Sequence, residues 1–235
     1  MIDDQEVNGY GEFTIAAVLP PFQPHSRSSL ANFAPHDPAR ARAFAESFPT
    51  IEAVLEELPD TDAVPASPRT RADLDLVAVG CWGGIVGISD PALAGDSFDK
   101  TLWDVTSALA ERHPEARIIG SATIDRGENH DQTAVHLPGG LKLYTEGRPG
   151  PDQFSLDGDP HAIARAVGVS AEVLAAAYID LDAEPWTIPW GHFGRQLLDP
   201  FHPWGYAGLR MSEFRVRHTE DTTLHMEEIW LAKAD

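Results

Sequence analysis

Residues 74–89 read LDLVAVGCWGGIVGIS, and the fold class turns on them. Leu74 to Cys81 and Ile85 to Ser89 are apolar runs around Trp82-Gly83-Gly84, and the glycines supply the positive φ that a tight reversal needs. The stretch predicts a β-hairpin. The same construction recurs downstream, where Thr133 to Leu137 and Leu141 to Glu146 flank Pro138-Gly139-Gly140, with Arg117 to Asp125 as a further strand before them. Strands that return through hairpins lie antiparallel.

Working upstream, EFTIAAVL (12–19) is rich in β-formers and stops at Pro20-Pro21, which predicts a first strand. Residues 23–35 read as a loop. Asp37-Pro38 supplies an N-cap and an N1 proline for a helix to about Phe48. Thr50 then caps a predicted second helix, Ile51 to Leu58, whose Ile51, Val54, Leu55 and Leu58 fall at i, i+3, i+4 and i+7 and leave Glu52, Glu56 and Glu57 wet. Residues 59–73 (PDTDAVPASPRTRAD) hold three prolines and no periodicity, so they predict a long loop and the only candidate boundary in a single domain over 1–235.

Downstream, Asp99 to His113 has the pattern of an amphipathic helix. Asp159-Pro160 opens another to about Val167, and Ser170 caps one to about Tyr178. Residues 184–206 are too punctuated by Pro and Gly for long regular elements, and Glu213 to His218 with Leu224 to Ala232 read as a closing hairpin. No βα alternation or internal repeat is present. The expected fold is α+β, a mainly antiparallel sheet built from hairpins and flanked by short helices.

The formal net charge is -20 over 235 residues, with 43% hydrophobic residues. That is enough apolar surface for a core, and a negative field that disfavours nucleic acid and anionic membranes as partners. Only Lys100, Lys142 and Lys233 accompany the arginines. Arg excess with abundant Ala, Gly, Pro and Asp is also what a GC-rich genome or salt adaptation writes. The acidic N-terminus resembles no secretory signal and no apolar run reaches membrane-span length, so a cytoplasmic protein is expected. Cys81, the single cysteine, excludes an intramolecular disulfide and sits in an apolar run, which predicts a buried thiol.

No Walker A loop, GxGxxG, GxSxG or HExxH occurs, so neither a cofactor nor a metal is expected, and whether the chain is an enzyme stays open. His218, His225 and Glu227 come nearest to a ligand set. The closing hairpin's register argues against it: Phe214, Val216, Leu224, Met226 and Trp230 collect on the core face with His218, while Arg215, Arg217, His225 and Glu227 share the other. Residues 125–132 (DRGENHDQ) gather His and carboxylates without a ligand spacing. Ile163 to Tyr178 resembles a helix-turn-helix, but its second helix offers only Glu172 as a charged group and nothing to meet a base or phosphate. The aromatic segment 186–206 is the first place to look for a ligand: Trp186, Trp190 and Trp204 bring area, His192, Arg195 and His202 polar handles.

VGCWG (79–83), GDPHAIARAVG (158–168), PWGY (203–206) and FRVRHTEDTTLHMEEIWL (214–231) resemble an uncharacterised family of proteins from GC-rich actinobacteria without an assigned activity. The resemblance implies one intracellular domain and nothing about chemistry. Two functional expectations follow from the residues. The first is an immunity- or inhibitor-like binding protein that engages a basic protein partner through its acidic surface. The alternative is a small-molecule enzyme or ligand-binding protein whose pocket is formed by segment 186–206 and the closing hairpin, using Trp186, Trp190, His192, His202, Trp204, Arg215, Arg217, His225 and Glu227.

Overall fold

The computed structural model describes residues 4–64, 66–95 and 100–231. Among them nine strands form one antiparallel sheet: β1 (Tyr10–Val18), β2 (Ile51–Ala63), β3 (Leu76–Trp82), β4 (Ile85–Ser89), β5 (Arg117–Asp125), β6 (Asn129–His136), β7 (Lys142–Gly147), β8 (Phe154–Gly158) and β9 (Tyr206–His218). Their spatial order is β2-β9-β3-β4-β1-β5-β6-β7-β8. Two of the three expected hairpins are present: β3 and β4 pair around Gly83, whose φ is 63°, and β6 and β7 pair within a β5 to β7 meander. The α+β class holds.

Helices cover both faces. On one, α1 (Pro38–Glu46), α2 (Thr101–Arg112) and α6 (Glu220–Leu231) close a core around Phe13, Val79, Ile118 and Trp230, with Phe13 and Trp230 edge-to-face at 5.2 Å. On the other, α3 (Pro160–Val167), α4 (Ala171–Ala176) and α5 (Trp190–Leu198) pack over Ile119, Val135 and Leu143. The caps are those the sequence announces: Asp37, Asp159 and Ser170 each accept an N–H from the first turn of α1, α3 and α4. Among the described residues no helix is long and apolar enough to cross a membrane.

Four expectations fail. Residues 51–58 form the first part of β2, not a helix. Register shifts between Ile51 and Ala53 and again between Val54 and Glu56 insert extra residues, so the alternation slips and imitates a helical period. The glutamates that favour a helix instead face arginines of β9, Glu52 with Arg217 at 2.6 Å and Glu56 with Arg215 at 3.8 Å, and Leu55 is left exposed. The predicted loop 59–73 is partly regular, since β2 runs to Ala63 and Arg71–Asp75 forms a 3-10 turn.

Residues 220–231 are helix α6, not the second strand of a hairpin. Thr219 caps it through its hydroxyl to the Thr222 N–H at 3.3 Å, Glu220 and Asp221 complement the first turn, and Met226, Ile229 and Trp230 share the buried stripe. Phe214, Val216, Met226 and Trp230 are buried as expected, but Leu224 is exposed. Ala232, and Asp99 at the predicted start of α2, lie outside the described residues. Finally, the punctuated segment 184–206 contains a true helix, α5.

Candidate functional site

Three strands in the middle of the sheet set the floor of the site. On the face toward α5, pairing places Glu12, Thr123 and Asp131 in one row across β1, β5 and β6. Thr14, Ser121 and Thr133 stand in the next row, and Ala16, Ile119 and Val135 in the one after. The hydroxyl row extends to Ser89 on β4 and Thr145 on β7. Thr123 donates to Asp131 at 2.8 Å. One strand face thus changes from polar to apolar within two residues, and the change marks where a packed interface stops and an open space begins.

The wall is α5, and its glycines decide how closely it lies. A Cβ at Gly191 would stand 3.3 Å from Ser121 Oγ, and one at Gly194 would stand 2.9 Å from Ile119 Cγ2. Glycines three apart therefore let the helix backbone descend onto β5. Trp190 is buried beside Phe193, with its N–H donating to the Pro185 carbonyl at 2.8 Å. Beyond the helix, Ser28 accepts the His202 backbone N–H at 3.0 Å and donates to Asp199, whose carboxyl burial pushes up, while Asn32 donates to the Pro200 carbonyl at 2.9 Å. The early loop pins segment 199–202 in place.

That anchoring sets Trp204 on a shelf of backbone. Gly80 and Gly87 are paired on β3 and β4; a Cβ on Gly87 would come within 3.1 Å of the Trp204 ring and 3.3 Å of the Trp82 ring. Two indoles thus lie where side chains are missing.

Between floor and wall is a cavity of about 320 Å³, lined by Glu12, Thr14, Ser121, Asp131, Thr133, Trp186, Trp190, His192, Arg195, His202 and Trp204 among others. Its size suits one small molecule. His202 is its most telling group. The residue is 7% exposed, its ring makes no hydrogen bond among the described residues, and burial first, then the Arg195 charge, pushes its imidazole down to about 3. A neutral ring offers one donor and one acceptor, and neither is used among the described residues.

Of the expected ligand residues, Trp186, Trp190, His192, His202 and Trp204 line this cavity. The other four do not join them. Arg215 and Arg217 belong to the ion ladder with β2, Glu227 meets Arg71 at 3.0 Å, and the His225 ring lies 3.3 Å from the Ala94 carbonyl. With 220–231 helical, His225 and Glu227 no longer stand opposite Arg215 and Arg217, so that shared face does not exist. The floor residues Glu12, Thr14, Ser121, Thr123, Asp131 and Thr133 are missing from the expectation. The signal for them was the alternation in β1, β5 and β6, polar residues on one face of strands that are covered on both.

Other polar groups resolve into structural roles. Burial pushes the Cys81 thiol up to about 11, which removes it as a nucleophile. The Cys81 N–H donates to His36 Nδ1 at 3.2 Å, so Nε2 of the neutral ring carries the hydrogen and donates to Ser212 Oγ at 3.0 Å; that tautomer cannot take the serine proton. His218 is buried with its two nitrogens 3.1 and 3.2 Å from the Thr50 and Leu74 carbonyls. The acidic stretch 125–132 is split by the sheet. Asp131 faces the cavity, whereas His130 is buried on the opposite face with Gln132 and Glu146. Among the described residues no group of three His, Cys, Asp or Glu side chains could hold a metal ion.

No curated protein and no solved structure matches this chain. One family does match, described as "Family of unknown function (DUF6333)", over residues 1–233. With the match running through every strand of the sheet and every element around the cavity, the chain belongs to that family.

Proposed function

We propose that the chain binds a small polar molecule in the cavity between the β1-β5-β6 floor and α5. The observation that carries this reading is the buried, unbonded His202 ring beside a row of hydroxyls and carboxylates. Side-chain donors and acceptors that open to the cavity and that the fold leaves unused are set to meet a ligand with matching groups. In this reading Glu12 and Asp131 accept from ligand hydroxyl or ammonium groups, His202 supplies one donor and one acceptor, and Trp186 and Trp190 cover an apolar edge. A thermal-shift and tryptophan-fluorescence screen with sugars, polyols, amino acids and nucleosides tests it. A hit that raises Tm and is lost in both Asp131→Asn and Thr133→Val is expected. A screen without hits, or hits indifferent to both variants, refutes it.

The basic-partner reading is supported by a different region. Residues 157–184, which carry α3 and α4, hold Asp157, Asp159, Glu172, Asp180, Asp182 and Glu184, and Tyr178, 92% exposed at φ 59°, shares a surface hollow with Asp180 and Asp182. Among the described residues Arg165 and His161 approach carboxylates here, at 3.8 and 3.3 Å. It expects salt-sensitive binding of a Lys-rich peptide that Tyr178→Ser weakens; binding unchanged by that variant rules the surface out.

A further inference from the structure

We propose that the cavity is one half of a groove, continuing past Trp204 into a second hollow, and that the groove takes an unbranched chain of polyhydroxylated units, an oligosaccharide. This rests on the reading that the first cavity holds a small polar molecule, and extends it. The second hollow, about 850 Å³, is lined by Tyr10, Asp73, Ser89, Glu213 and Trp204 among others. Trp204 borders both spaces. On β1, Tyr10 opens to one and Glu12, two residues on and on the same face, to the other; across the β1-β4 pair, Thr14 opens to the first and Ser89, its partner, to the second.

The hydroxyl row Ser89, Thr14, Ser121, Thr133 therefore runs without a break beneath both spaces. Four strands at about 4.8 Å spacing give it a length of about 14 Å, more than one sugar ring spans. The groups along it suit hydroxyl recognition. Each floor hydroxyl gives a donor and an acceptor, as does neutral His202, and the carboxylates of Glu12, Asp131, Asp73 and Glu213 accept from ligand hydroxyls.

Other long ligands fit less well. The strands beneath the groove are paired on both sides, so an extended peptide finds no free backbone to extend the sheet. Arg148 and Arg195 in the first space and Arg69 in the second oppose a polycationic chain, while the four carboxylates oppose phosphates.

Calorimetric titration of the full chain tests this with linear oligomers of glucose, N-acetylglucosamine, xylose and mannose, one to four units long. For at least one series, affinity should rise about tenfold from one unit to three. Ser89→Val, which alters only the second hollow and keeps a residue suited to a strand, should return the trimer to the monomer's affinity and leave the monomer unchanged. Asp131→Asn should weaken both. A single sugar that binds with no gain on lengthening overturns the groove while the small-molecule reading stands. No binding by any series, or tighter binding by a Lys-rich peptide that Asp131→Asn abolishes and Tyr178→Ser leaves intact, overturns the saccharide assignment as well.

Discussion

Two helices pack on the same pair of strands from opposite sides, and they do so by opposite means. Under α2 the sheet supplies the glycine: a Cβ at Gly120 would stand 2.8 Å from Leu102 Cδ1 and 3.0 Å from Thr106 Cγ2. Under α5 the helix supplies the glycines, and the sheet brings Ser121, Ile119 and Thr133 up to meet its backbone. The first arrangement fills space with Leu102, Val105 and Leu109 and leaves a packed interface. The second leaves room beside the backbone. A helix that touches a sheet through glycine cannot also fill the volume around that contact, and the cavity is the result.

The sharpest way to break this contrast is on the filled side. Gly120→Val must displace two packed side chains, and a loss of about 3 kcal/mol in urea unfolding is expected. A loss below 1 kcal/mol would mean that the α2 interface is as loose as the α5 one. Next in size is a pH effect, since each side buries a histidine. His136, under α2, is held down to about 4 by burial first and then the Lys142 charge, and its ring lies 3.1 Å from Thr106 Oγ1; His202, beside α5, is held down to about 3.

The unfolded chain protonates these rings near pH 6.5 and the folded one does not, so their full contribution is present above that pH and is lost as pH falls toward 4 and 3. By pH 5 each costs about 2 kcal/mol. His202→Gln should remove its share of the drop between pH 7 and 5, as measured by urea unfolding; an undiminished drop would place the pH sensitivity elsewhere. The smallest effect should come from Gly191→Ala. Its Cβ meets only Ser121 Oγ, and helix propensity offsets the contact by about 1 kcal/mol, so stability should stay within about 0.5 kcal/mol while the Ser121 hydroxyl is screened from the cavity.

How much of this was legible follows from period and punctuation. Hairpins at Gly83 and Gly139-Gly140 and helices capped by Asp37, Asp159 and Ser170 could be read because turn and cap residues act locally. Strand β2 could not, because its bulges replace a period of two by one near four and because Arg215 and Arg217, more than 150 residues away, decide the fate of its glutamates. Helix α6 was hidden by a Thr-rich start whose capping role depends on Thr219 alone. Trp186, Trp190, His192, His202 and Trp204 stood out by composition. The floor did not, since Thr14, Ser121 and Thr133 acquire meaning only when strand register sets them side by side.

The position of β2 has one more consequence. In an open sheet of nine strands two are outermost, and β2, 13 residues long, is one of them. A long, flat outer strand is a template on which another chain can build. Here Pro59 removes a donor, four breaks in register twist the ribbon, and Glu52, Glu56, Glu57 and Asp60 project from it as exposed carboxylates. Part of the -20 charge therefore lies on the rim of the sheet, where Arg217, Arg215 and Arg42 pair with three of these carboxylates and the ionic edge makes a poor template for a further strand.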